Sequence, residues 1–173
     1  MDQRTNDATR EIFIVGLRNA HAMENEALGI MKPQLKRIEN YPQVADRLDK
    51  HIRETEGQLQ RLGDILDQMG ESNSVLKDTA LSVMGSMAAM GHTLAGDEIL
   101  KNSFANFAFE NFEIAAYNSL LVLSEMVQVP GAGNVLRQNL AEEEAMAEWL
   151  RQNLPAVTRR YAELSAAGAT AKV

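Results

Sequence analysis

The stretch Glu110-Asn-Phe-Glu113-Ile-Ala-Ala-Tyr117 sets two carboxylates three residues apart in an otherwise apolar run. On a helix of about 3.6 residues per turn, that spacing puts both acids on one face. Phe107, Ile114, Tyr117 and Leu121 share or flank the same face, so the helix aims carboxylates at a core. A buried carboxylate without a partner is costly and needs a cation, a proton or a hydrogen-bond donor. The fold must therefore bring other segments to these two acids, and those segments need groups to offer.

The remaining sequence supplies three more long segments of helical periodicity. The first runs from about residue 7 to 31 with Phe13, Leu17, Ala20, Ala27, Leu28 and Met31 as its stripe; Pro33 is expected to kink or break it, with a tail continuing through Ile38. Asn40-Tyr41-Pro42 reads as a turn, with Pro42 opening a second helix over about 43–69 that ends at Gly70. Its stripe is Val44, Leu48, Ile52, Thr55, Leu59, Leu62, Leu66 and Met69. A shorter segment, about 75–94, contains Met84, Met87 and Met90 and reads as a crossing helix whose methionines fill gaps. Asp97 is the expected cap of the helix over 98–128 that carries the opening stretch. After Pro130-Gly131-Ala132-Gly133 comes a fourth helix over about 134–153, with Leu136, Leu140, Ala147 and Leu150 facing inward. Pro155 is expected to reset the chain before a last helix to about 164. Two short turns and one long connection are the pattern of an all-α four-helix bundle with a long helical crossover between helices two and three. The expected organisation is a frayed 1–6, one bundle domain over 7–164 and a disordered tail over 165–173.

Each long helix offers an acid in or beside its stripe: Glu24, Glu54, Glu110 and Glu143. Glu24 and Glu54 are separated by nearly as many residues as Glu110 and Glu143. In two antiparallel hairpins of similar length, that places all four near one level. A second ligand three residues away is available twice, as Glu113 beside Glu110 and His51 beside Glu54. One Glu per helix with extra ligands three residues away is how bundles build dinuclear carboxylate sites. Hard oxygens with one imidazole suit iron or manganese. Other groups have plainer readings: His21 as a partly exposed helix residue, His92 as an exposed last-turn residue, Tyr117 as a packed core tyrosine, Trp149 as a core or dimer contact.

The segment His51-Ile-Arg-Glu54-Thr55-Glu-Gly57-Gln58-Leu-Gln-Arg61-Leu62 resembles the second-helix signature of the YciE/YciF family of bacterial ferritin-like proteins. Glu110-Asn-Phe-Glu113-Ile-Ala-Ala-Tyr117 and Leu140-Ala-Glu142-Glu143-Glu144 resemble its third- and fourth-helix motifs, and the likeness covers about Phe13 to Leu150. It implies a rubrerythrin-type site for two metal ions, a dimeric assembly and a part in stress responses, with ferroxidase chemistry assumed for the family. Carried over by position, the ligands would be Glu24, Glu54, Glu110, Glu113 and Glu143, with His51 as ligand or as support for one. The chain departs from the family in having Asn111-Phe112 where His-Tyr is usual and Ala145 where Lys is usual. The Glu-x-x-His pattern of better-characterised ferritin-like enzymes is absent, since Glu54 leads to Gly57 and Glu143 to Met146.

A formal net charge of -7 argues against non-specific binding to nucleic acid or an anionic membrane. No apolar run approaches the ~18 residues of a membrane span. The absence of cysteine removes thiol nucleophiles and iron–sulfur ligation, and with a polar start it fits a cytoplasmic protein. The expected function is a di-iron or di-manganese protein that consumes oxygen or peroxide as it oxidises ferrous iron, assembled as a homodimer. The alternative is a non-catalytic interaction bundle with a degenerate site, and a third reading is manganese-dependent peroxide disproportionation.

Overall fold

The structure, a computed structural model, describes residues 3–71 and 96–173. Among these residues there are four helices and no strand. They are α1 (Gln3–Leu35), α2 (Pro42–Gln68), α3 (Glu98–Val127) and α4 (Ala132–Ala166). The crossing helix expected over 75–94, and with it Met84, Met87, Met90 and His92, lies outside the described residues.

Helix α1 packs on α2 and α3, and α4 packs on α3 and more sparsely on α2. Lys32 pairs with Glu56, and Arg10 donates to the Met69 carbonyl, so α1 and α2 run antiparallel. Asn106 donates to Gln34 while Leu120 touches Gly16, so α1 and α3 are antiparallel as well. Helices α2 and α3 are therefore parallel, and the chain must travel from one end of the bundle to the other between them. This is the ferritin-like connectivity that the two short turns implied. Gly16 lets α3 approach closely, because a Cβ there would lie 2.8 Å from Leu120 Cδ2.

The expected stripes are the core. Phe13, Leu17, Ala20, Ala27, Met31, Leu48, Ile52, Leu62, Leu66, Leu136 and Leu150 are buried in one cluster. Helix α2 opens on Pro42 and closes at Gly70, where φ is 79° and the Glu71 N–H reaches back to the Leu66 carbonyl at 3.0 Å.

Three boundaries differ from the sequence expectation. Helix α1 begins at Gln3 rather than residue 7 and continues through Pro33 to Leu35. Proline costs most where its missing N–H breaks a ladder with helix on both sides, and Pro33 has only the final turn after it. Helix α4 continues through Pro155 to Ala166 instead of restarting. A second apolar cluster, with Val157 and Leu164 of α4 against Tyr41, Ile99 and Ala171, holds the part beyond the proline. The tail expected to be disordered is instead docked. The Ile99 N–H donates to the Lys172 carbonyl at 2.9 Å, the Asn40 N–H to that of Val173 at 3.2 Å, and the Tyr41 hydroxyl to that of Ala171 at 2.6 Å. These are backbone carbonyl contacts, which the small residues of the tail do not reveal. Lys172 and Arg37 also converge on Glu98, whose side chain is fully buried.

Candidate metal centre

Along α2, His51, Thr55 and Gln58 face inward among the leucines. The Thr55 hydroxyl donates to the His51 carbonyl at 3.0 Å, a bond that keeps this polar side chain satisfied inside the helix. Helix α3 contributes Glu110 and Glu113, and α4 contributes Glu143. His51, Glu110, Glu113 and Glu143 are all buried, and one ligand atom from each lies within 4.8 Å of the others. The imidazole Nε2 of His51 is 3.1 Å from Glu110 Oε2 and 3.3 Å from Glu143 Oε2.

The other expected ligands sit around this group. Glu24 is fully buried beside it, and its Oε1 accepts a 2.5 Å hydrogen bond from the Tyr117 hydroxyl. That hydroxyl accepts in turn from Asn139 Nδ2 at 3.1 Å, and Asn139 Oδ1 accepts from Arg61 Nε at 2.6 Å. Glu54 lies on the far side of the imidazole, 3.0 Å from Nδ1, and is also bound by Arg47 at 3.0 Å and Lys50 at 3.2 Å. It is thus outside the four-residue cluster, and its contact with Nδ1 fixes the ring with Nε2 toward the cluster. His21 hydrogen-bonds Asn25 on its own helix.

Gln58, at the edge of its stripe in the sequence, and Tyr117, read first as a packed core tyrosine with a hydrogen-bonding role as the alternative, both join the polar network. Gln58 donates to Glu142 at 3.0 Å and also to Glu143, which ties the cluster to the Arg61–Glu142 pair nearer the surface. Its i, i+7 spacing from His51 was a usable signal, because two polar side chains on one buried stripe imply a shared polar environment.

The electrostatics follow from burial. Burial pushes Glu24 and Glu113 well above the ordinary carboxylate range, helped by the neighbouring acids. Burial carries Glu110 to about 8 against the pull of His51. Burial also works against ionisation of Glu143, but hydrogen bonds from His51 and Gln58 bring it below its usual value. Burial opposes the imidazolium of His51, yet Glu110, Glu143 and Glu54 together raise it well above its ordinary value. Glu54, less buried, is held down at about 2 by His51, Arg47 and Lys50. Burial thus favours the neutral form of Glu24, Glu110 and Glu113, while His51 and Glu143 are shifted toward their charged forms.

A family model described as a domain of unknown function, DUF892, matches residues 8–163. The chain belongs to this family. The Escherichia coli protein YciF is 27% identical over 146 residues, covering 78% of this chain and 83% of that protein. A crystal structure of a Xanthomonas campestris protein shares 27% identity at a TM-score of 0.75, covering 91% of this chain and 98% of that one. The crystal structure of E. coli YciF, described as a stress protein, matches at a TM-score of 0.71 with 22% identity, covering 84% of this chain and 94% of that one. These likenesses agree with the helical bundle.

The side chains of this DUF892 member suit a metal. Glu110 Oε2 and Glu143 Oε2 lie against His51 Nε2, while Glu24 Oε2, both oxygens of Glu113 and Gln58 Oε1 are buried without a hydrogen bond among the described residues. Each such atom costs about 1–3 kcal/mol if nothing answers it. Carboxylate oxygens with one imidazole are the donor set of a hard or borderline cation. The cluster can hold a metal ion, and a cation entering it would displace the protons that burial retains.

Proposed function

We propose that the cluster binds two metal ions, iron in preference to manganese, and that the protein oxidises ferrous iron with dioxygen or peroxide in a cytoplasmic stress response. What supports this most is the buried cluster of carboxylates around His51, in which both oxygens of Glu113, with Glu24 Oε2 nearby, have no hydrogen-bond partner among the described residues. The stress role leans on the E. coli relative described as a stress protein. Bound ions would supply Lewis acidity and one-electron chemistry. Glu113, with both oxygens unpartnered, has two ligand atoms to offer. Glu110 and Glu143 offer one each beside His51, and Glu24 offers Oε2 while Tyr117 fixes Oε1. Glu54 works through His51, holding a proton on Nδ1 so that Nε2 stays directed inward. Glu24, Glu110 and Glu113 release protons as positive charge arrives, which makes loading pH-dependent.

The same proposal includes a homodimer over the outer face of α3. Phe104, Phe112, Val122 and Met126 are 52%, 59%, 60% and 42% exposed there, a row of large apolar side chains along one face of the helix. Such a contiguous exposed apolar patch marks an interaction surface.

Anaerobic loading with ferrous iron, followed by peroxide, tests the chemistry. The expected result is two ions bound per chain and oxidation faster than in buffer, both lost in a Glu110→Ala/Glu113→Ala variant. Absence of stoichiometric binding would end the proposal. The proton-holding acids favour a second reading, a non-catalytic bundle whose neutral carboxyls need no ion. On that reading metal leaves the melting temperature unchanged.

A further inference from the structure

A concavity of about 260 Å³ opens where the α1–α2 turn meets the last third of α4. Trp149 lies six residues beyond Glu143, about 9 Å along the helix, so this pocket is separate from the metal cluster. Its walls include Tyr41, Val44, Trp149 and Val157. These walls are fixed in advance. Tyr41 and Val157 are buried in the second core cluster, and the Tyr41 hydroxyl is engaged by the tail. Trp149 packs against the main core from the other side.

The polar groups at this pocket divide in two. Asn40 Nδ2 is engaged by the Thr170 carbonyl at 2.9 Å, and Asn153 Nδ2 by the Trp149 carbonyl at 2.8 Å. Gln43 and Arg160 are exposed and have no hydrogen bond or ion pair among the described residues. No acid lines the pocket, although the chain is acidic overall. An apolar cup with one uncommitted guanidinium is complementary to a molecule with an apolar body and one negative end. A cavity of about 150 Å³ accepts benzene, so this one has room for a ring with a short chain. The indole offers a face for that ring, and the guanidinium offers two parallel donors to a carboxylate.

We propose that this pocket binds a small arylalkanoate, its ring against Trp149 and Val157 and its carboxylate on Arg160. The site neither depends on the metal centre nor requires it to be filled. Because Trp149 is the single tryptophan of the chain, its fluorescence reports the pocket directly. The test titrates the full chain with 3-phenylpropionate, and with 3-phenylpropionamide as a neutral counterpart of the same shape. The expected result is a saturable emission change with the acid and at least tenfold weaker binding of the amide. Arg160→Gln should weaken the acid by a similar factor while leaving the melting temperature nearly unchanged, since the guanidinium makes no hydrogen bond or ion pair among the described residues. Equal binding of acid and amide, unaltered binding by Arg160→Gln, or no saturable change up to about 10 mM would each overturn it. So would emission that varies with protein dilution instead of ligand, which would assign the pocket to a second copy of the chain.

Discussion

Replacing Tyr117 by Phe removes one oxygen from the interior and keeps the ring. The hydroxyl donates to Glu24 Oε1 at 2.5 Å and accepts from Asn139 Nδ2 at 3.1 Å, and both partners are fully buried. Removing it leaves an orphaned acceptor and an orphaned donor. At about 1–3 kcal/mol for each of the two unsatisfied groups, the expected loss is about 2–6 kcal/mol, or a melting temperature lower by roughly 6–18 °C for a chain of this size. The protonated carboxyl of Glu24 can turn and recover part of this, so the lower half of the range is expected. Urea denaturation in chelator near neutral pH measures it. A double-mutant cycle with Asn139→Leu should then give a coupling of about 1 kcal/mol or more, because the two side chains share one bond. A variant within about 0.5 kcal/mol of wild type, or a cycle without coupling, would show that the chain from Arg61 to Glu24 does not support the interior.

Three further outcomes are expected. Manganese at about one hundred times its dissociation constant should stabilise the wild type by about 2.7 kcal/mol, raising the melting temperature by roughly 5–10 °C. Glu113→Gln should abolish that rise at little cost in chelator, since it exchanges a neutral acid for a neutral amide; calorimetric melting with and without metal decides it. Glu54→Gln should weaken manganese binding by about 10–100-fold without removing a ligand, because the His51 ring loses the carboxylate that orients it; isothermal titration would show whether the loss is this moderate or complete. Although burial works against its ionisation, Glu98 is held below the usual carboxylate value by Arg37 and Lys172. Its stabilising contribution is therefore present above its unfolded pKa and lost as pH falls through the folded value. Glu98→Gln should flatten the acid limb of a urea-midpoint profile between about pH 6 and 3, and an unchanged limb would count against the pairing.

Glu110 and Glu113 could be read from sequence because a charge in an apolar helical run is conspicuous against its neighbours. Glu24 and Glu143 were legible for the same reason; Glu143 joins the cluster and Glu24 lies buried beside it. The roles within the Glu54–His51 pair were not legible. Residues three apart on one stripe differ by a small rotation, and which one faces inward depends on how α2 packs on α3 and α4. Tyr117 and Gln58 were harder still, since a neutral polar side chain looks the same whether it fills a core or holds an acid. Pro155 misled because local propensity predicts a break, while tertiary packing beyond it keeps the helix. The docking of the tail depends on main-chain carbonyls meeting residues far away in sequence, and no side-chain pattern encodes that.

The parallel run of α2 and α3 has a consequence for how the molecule is assembled. Each short turn closes a hairpin that can form from local contacts early in folding. Glu24 and His51 belong to the first hairpin, while Glu110, Glu113 and Glu143 belong to the second. Neither hairpin alone brings imidazole and acid cluster together. Before docking, an acidic surface rich in carboxylates is open to water and its charge is cheap to keep. After docking, the same charge must be neutralised. Proton uptake, or capture of a cation, is therefore coupled to bringing the two hairpins together.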